Sequence, residues 1–312
     1  MPSKTQNASL IISKNGLIET IDASTASALG YRVNELLHQP AACVLPALVE
    51  TLAESTSLDM EAEMKRALKR GEFFLEYQPQ FDVKTKKIVG FEALMRWQHP
   101  QRGLVPPTVF IPIAESSGLI YKLCKFALDK ALTQLKEWQK EGFKDLLIAV
   151  NLSAAQFRDE KLVAVVKEEI KKHKIKKDVL EFELTETLLM QDMESARQIL
   201  KQLVKMGTRI AIDDFGVGYS SLNYLLNFPV RKIKIDKTFV QNMDKSPKNT
   251  RLVEAIINLG HALEMDVVAE GVEEEKQLKT LSKIRCDLIQ GFLLGRPLEA
   301  SAATKLLKEK NK

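Results

Sequence analysis

Residues 209–222 read RIAIDDFGVGYSSL, an apolar run that ends in two adjacent carboxylates and two glycines. Successive strand side chains point to opposite faces, so Asp213 and Asp214 converge on one object only where the strand stops, and Gly216 and Gly218 supply that stop. A lone pair of this kind is an ordinary helix cap or Asx turn. Here it has company: Asn151, Glu183, Lys234, Glu270 and Gln290 each fall at or near the end of another strand-like run, and Glu92 lies inside a further one. If Glu92, Glu183, Asp213, Asp214 and Glu270 share one rim, each neighbouring like-charge pair at about 4 Å costs on the order of 1–4 kcal/mol. Several such pairs rival the stability of a whole domain, so either most of the carboxyls hold protons or cations sit among them. With Lys234 as the local lysine, bound divalent metal is the better balance. The donors are carboxylate oxygens and an asparagine amide, with no His or Cys, which selects Mg²⁺ or Mn²⁺ over zinc. Five carboxylates offset two dications, and two metals roughly 3.5–4 Å apart form the usual clamp for in-line attack on a phosphodiester. Hydrolysis of a phosphate ester is the chemistry this set points to.

Such a set needs a scaffold that delivers many strand ends to one rim. From about residue 145 a short apolar run, a polar end and an amphipathic helical stretch recur, the runs being 146–153, 179–186, 209–214, 231–236, 266–270 and 287–292. Their spacing of roughly 20–35 residues is that of a strand plus crossover helix, hence of parallel strands. Upstream, residues 73–97 read as two strands joined at the polar turn Lys84–Lys87, and the stretches from Pro107 and Leu119 read as helices. About eight strands close a barrel. The expected fold is therefore α/β, a TIM-type (β/α)8 barrel with one antiparallel strand from the first hairpin, and chemistry in such barrels is done at the C-terminal strand ends.

At this point a family resemblance is evident. GFEALMRW at 90–97 carries the Glu-Ala-Leu signature of the EAL domain family, the bacterial cyclic di-GMP phosphodiesterases, and around it stand YQPQ (77–80), NLSAAQF (151–157), ELTET (183–187), DDFGVGYSSL (213–222), KIDK (234–237), AEGVE (269–273) and QGFLLGRP (290–297). The resemblance runs from about residue 58 to the end. It implies Glu92, Asn151, Glu183 and Asp213 as ligands of one metal, and Asp213, Asp214 and Glu270 around a second, with Asp213 bridging. It further implies that Lys234 and Gln290 position the nucleophilic water and its surroundings, with Asp236 a nearby acid behind them. Gln78 and Arg96 match substrate contacts, Glu273 a residue near the guanine, and Glu186 an acid that anchors the loop after Asp214. A guanidinium suits a phosphate through its donor fork. Val217 and Phe292 stand where Thr and Tyr are common, and neither position supplies a metal ligand. The implied activity is two-metal hydrolysis of cyclic di-GMP to linear pGpG; the alternative is a catalytically silent cyclic di-GMP receptor acting through a partner. A homodimer is expected.

The totals agree with a globular domain: 312 residues, 45% hydrophobic and 28% charged. No apolar run reaches the roughly 18–20 residues of a membrane helix and no signal peptide stands at the start, so a cytoplasmic protein without membrane insertion is expected. Three cysteines far apart fit reduced thiols. The net charge of +5 comes with Lys-rich runs at 65–70, 167–177 and 305–312, but these are interleaved with Glu or apolar residues at helical spacing and lack stacking aromatics, so they read as solvated helix faces and no nucleic-acid polymer is expected. His99, His173 and His261 read as surface or packing residues. Trp97 and Trp138 read as core anchors, Trp97 standing close enough to Arg96 to line the site. Residues 15–46 resemble the opening of a PAS domain cut short; an unrelated helical cap is the alternative. The expected division is an N-terminal segment, 1–55, which could take a regulatory partner, and the barrel, 56–312, with a joining helix at about 57–70.

Overall fold

The computed structural model describes residues 10–12, 17–21, 26, 32–40, 59–158, 161–186, 188, 193–217 and 223–311. Two compact units divide at 64/65. In the first, strand β1 (Leu10–Ile12) pairs antiparallel with β2 (Ile18–Ile21), and one helical turn, Val33–Leu36, follows. Ile18, Ile21, Ala26 and Leu36 form its small core. Cys43 and much of the PAS-like stretch 15–46 lie outside the described residues.

The second unit is a closed barrel. Its strands are β3 (Phe73–Asp82), β4 (Ile88–His99), β6 (Leu147–Asn151), β7 (Leu180–Thr185), β8 (Arg209–Phe215), β9 (Lys232–Ile235), β10 (Asp266–Ala269) and β11 (Leu288–Ile289), with β5 (Gly103–Val105) hooked outside onto β4. The sheet order is β3-β11-β10-β9-β8-β7-β6-β4-β5, and the β3–β4 pairing closes the ring. β3 is antiparallel to both of its barrel neighbours, β4 and β11; every other pairing within the ring is parallel. The turn between β3 and β4 is set by Asp82, whose Oδ1 accepts from Thr85 N at 2.6 Å, and by Lys86 in the left-handed region.

The local sequences explain these elements. β6 is LIAVN with its first four residues buried, the continuous apolar run of a parallel strand covered on both faces. The helix Ile120–Lys140 repeats apolar residues at three- and four-residue intervals and buries Leu128, Ala131, Leu132, Leu135 and Trp138 on one side. Trp138 stacks on Phe91 of β4 at 4.6 Å between ring centroids, and its indole N–H donates to Thr304 Oγ1 at 2.8 Å, tying the C-terminal helix Ala300–Lys310 to the barrel wall. Trp97 does not line the site. It is fully buried, stacked on Phe73 with Phe110 edge-on, because alternation along β4 turns it away from the face that carries Arg96. Cys124 and Cys286 are buried free thiols.

Candidate active site

The barrel interior is built from side chains two residues apart. Glu181 and Glu183 of β7, and Lys232 and Lys234 of β9, point inward, while Arg209, Ala211 and Asp213 share the inner face of the intervening β8. Ala211 stands in register with both Glu183 and Lys232, and its single methyl leaves room for long side chains to meet in front of it. Two charged layers result. In the lower one Lys232 Nζ lies 2.5 Å from Glu181 Oε1 and also donates to Gln80 Oε1 at 3.3 Å.

The upper layer is the site. Lys234 Nζ, 1% exposed, lies 2.6 Å from Glu183 Oε2, 2.8 Å from Glu270 Oε1, 3.1 Å from Asp213 Oδ1 and 3.4 Å from Glu92 Oε2. Glu92 is held from two more sides: Asn151 Nδ2 donates to its Oε1 at 2.6 Å and Gln290 Nε2 to its Oε2 at 2.6 Å. Gln290 Nε2 also reaches Gln78 Oε1 at 3.1 Å. Of the residues singled out from sequence, Glu92, Asn151, Glu183, Asp213, Lys234, Glu270, Gln78 and Gln290 thus form one connected network.

Asp214 joins them by a route other than a simple strand end. The β8–β9 register slips between Ile212 and Phe215, and Asp214 takes a left-handed backbone with φ +52°, so the ladder bulges where a carboxylate would otherwise face outward. Strand pairing resumes through Phe215 before Gly216, φ +98°, turns the chain; a Cβ there would meet the Phe239 ring at 3.0 Å. Gly218 lies outside the described residues. Asp213, Asp214 and Glu270 consequently bring one carboxylate oxygen each within 4.8 Å of one another. Glu186, buried, accepts from Gly216 N at 3.3 Å. Asp236 caps the helix Lys237–Asn242 by accepting from Thr238 N at 2.9 Å and from the Thr238 hydroxyl.

Electrostatics single out the same groups. Burial pushes the Glu270 carboxyl up to about 8, with Asp213 and Glu92 adding to the shift against the pull of Lys234. Burial likewise raises Glu183 well above the carboxylate range, helped by Glu92 and Asp213. Asp214 rises through burial and the neighbouring Asp213 and Asp236. Burial works against Glu92 too, but Lys234 and the donated hydrogen bonds from Gln290 and Asn151 outweigh it and keep that carboxyl below its usual value. Lys234 is raised in spite of burial, because four carboxylates surround it.

A cavity of about 320 Å³ opens over this network, lined among others by Gln78, Glu92, Asp213, Lys237, Glu270, Glu273 and Phe292. A second of about 240 Å³ shares Leu94 with it and is lined by Asn151, Arg96 and apolar residues of the helix Ile120–Lys140. Arg96 therefore sits in the second lobe, its Nε on Glu76 Oε2 at 2.7 Å, away from the carboxylates. Glu273, on the rim of the first, accepts from Gln241 at 3.2 Å. Two further features beneath the site carry no strand-end position of their own: Gln80, which donates to Glu183 Oε1 at 3.4 Å and Gln290 Oε1 at 3.1 Å, and the Glu181–Lys232 pair. The alternation Glu181-x-Glu183 and Lys232-x-Lys234 was the available signal.

A TIM-type barrel with an all-oxygen acidic cluster at its C-terminal strand ends defines the class. The chain belongs to the EAL domain family, whose family model matches residues 61–297. It is 42% identical over 243 residues to the bifunctional diguanylate cyclase/cyclic di-GMP phosphodiesterase MucR of Pseudomonas aeruginosa, covering 78% of this chain and 36% of MucR. To the signaling protein YkoW of Bacillus subtilis it is 40% identical over 245 residues, 78% of this chain and 30% of YkoW. The chain thus spans about a third of the length of these relatives. Among solved structures, the phosphodiesterase of MucR in complex with c-di-GMP superposes with a TM-score of 0.75 at 41% identity, covering 78% of this chain and 99% of that one. No helix among the described residues is long and apolar enough to cross a membrane.

Proposed function

We propose that this chain hydrolyses cyclic di-GMP to linear pGpG with two divalent cations, Mg²⁺ or Mn²⁺. The observation that carries the reading is the charge balance at the rim: Glu92, Glu183, Asp213, Asp214 and Glu270 against Lys234 leave four negative charges, which two dications cancel. The donors fit such ions, being carboxylates with the Asn151 amide oxygen left over once Nδ2 is spent on Glu92. Glu92, Asn151, Glu183 and Asp213 would hold one ion and Asp213, Asp214 and Glu270 the other. Bound there, the ions supply Lewis acidity toward a phosphoryl oxygen and lower the pKa of water.

The chain's own groups do the rest. Lys234 Nζ, fixed by four carboxylates, presents a cation next to the reacting phosphate and orients the attacking water. Gln290, clamped between Glu92 and Gln78, shapes the same space. Gln78 and Arg96 contact the substrate from the two lobes, and Glu273 faces a guanine edge at the mouth. Two lobes on either side of Leu94 suit a ligand with two equivalent nucleotide halves. Glu186 holds the loop after Asp214 through Gly216, and Asp236 braces the chain behind Asp214. The phosphodiesterase MucR, similar over this whole barrel, supports the assignment.

The test is hydrolysis of cyclic di-GMP by the purified chain with Mg²⁺ or Mn²⁺ against a chelated control, products resolved by chromatography. Metal-dependent pGpG is the expected result. Binding without product would establish a receptor instead and overturn the catalytic assignment.

A further inference from the structure

A second cluster lies on the outside of the barrel, where the helix Ile120–Lys140 meets the helix Lys161–His173. Glu169 and His173 stand four residues apart on one helix face, and Asp129 approaches from the other helix. His173 Nε2 lies 2.9 Å from Asp129 Oδ1 and 3.4 Å from Glu169 Oε2, and the three residues offer ligand atoms all within 4.8 Å of one another. Zinc bonds of about 2.0–2.1 Å at tetrahedral angles separate ligand atoms by about 3.3–3.4 Å, close to this spacing.

The second observation is at Glu169. Its side chain is 0% exposed, yet Oε1 has no hydrogen-bond partner among the described residues, with Lys125 Nζ standing off at 3.9 Å. A buried carboxylate oxygen without a donor is costly. Lys172 Nζ sits 2.5 Å from Asp129 Oδ1 and 3.3 Å from Glu169 Oε2, which puts a monovalent charge where a cation would bind. That lysine is half exposed on a long flexible stem and swings out at little cost.

We propose that Asp129, Glu169 and His173 form a separate site for a transition-metal dication, zinc in the first place, which pins the two helices together. Its imidazole nitrogen distinguishes it from the oxygen-only cluster at the barrel rim, so zinc is favoured at one site and magnesium at the other.

Zinc is titrated by calorimetry into the full chain carrying Asp213→Asn, in excess Mg²⁺, to weaken zinc uptake at the rim. The expected result is a zinc-binding event that His173→Gln or Asp129→Asn weakens by about tenfold or more, a loss of the size seen when metal-site residues are removed. Lys172→Ala removes the competing ammonium and should tighten zinc binding, with a zinc-dependent rise in Tm. An ordinary ion-pair network gives the opposite: Lys172→Ala lowers Tm and zinc leaves it there. Equal zinc affinity in His173→Gln and its parent, or no gain in Lys172→Ala, overturns the proposal, and the second variant decides the matter even where the first folds poorly.

Discussion

Lys234→Met tests the electrostatic logic of the site. Methionine matches the length of the lysine stem but removes an ammonium that lies 2.6–3.4 Å from four carboxylates. Removing one partner of a buried ion pair costs about 3–5 kcal/mol, because the remaining charge is left in a dry environment. Here the carboxyls around one ammonium lose their shared counter-ion, which places the loss toward the upper end for the metal-free protein near pH 9, where Glu270 is ionised. For a unit of this size the corresponding fall in Tm is roughly 6–20 °C. The loss should shrink at pH 5, where Glu183 and Glu270 take up protons, and again in saturating Mn²⁺, where dications supply the missing charge. Urea unfolding in EDTA and in Mn²⁺, at both pH values, reads all four quantities. Hydrolysis should stay depressed by at least about 100-fold even in Mn²⁺, as for loss of a preorganised charge at a reacting centre. A metal-free loss below about 1 kcal/mol, or one indifferent to both pH and Mn²⁺, would refute the picture of Lys234 as the internal counter-ion.

Further outcomes follow from the same geometry. Glu92→Gln should lower turnover by about 100-fold or more while cyclic di-GMP binding persists, measured by product chromatography and by calorimetry with the substrate. In EDTA, wild-type stability should fall as pH rises from about 4.5 to about 8: the folded Glu270 carboxyl keeps its proton to about 8 while the unfolded one has lost it, so the native state binds more protons across that window. For the same reason metal uptake near pH 6.5 should release protons, visible as a buffer-dependent calorimetric enthalpy. Gly291→Ala would set a Cβ 2.2 Å from Val272 O and 2.3 Å from Val272 N, forcing backbone apart beside Gln290; activity should fall far more than secondary structure by circular dichroism. Trp138→Ala should cost about 3–5 kcal/mol in urea unfolding, from the stack on Phe91 and the lost donor to Thr304.

The barrel could be read from the chain because its strands announce themselves twice, as buried apolar runs and by polar residues at their ends. β4, β6, β7, β8 and β9 fall where the periodicity puts them, and the reversed β3 follows from the short polar turn before Ile88. The last strand shrinks to Leu288–Ile289; beyond it Gln290 N still donates to Ala269 O at 2.9 Å while its side chain reaches Glu92. The carboxylate set was likewise visible, as inward alternation and charge repulsion depend only on residue type and register. Other features depend on three dimensions. Nothing local tells that Asp214 bulges with a positive φ, that Arg96 turns to Glu76, or that Trp97 faces the Phe73–Phe110 core. The Asp129–Glu169–His173 cluster is invisible along the chain because Asp129 comes from a different helix, separated from that of Glu169 and His173 by β6.

Reversing a single strand also exchanges the ends of the barrel. An eight-fold barrel of parallel strands takes in its chain at the floor, far from its chemistry. Here Phe73, the first residue of β3, pairs with Trp97, beyond Glu92 toward the mouth, and Asp82 at the other end pairs with Leu288 on the floor. The polypeptide therefore enters at the mouth. The residues just before Phe73 lead directly into the strand that carries Gln78, which Gln290 bonds on one side while bonding Glu92 on the other. The direction of one strand makes the leading end of this barrel a handle on its reactive rim.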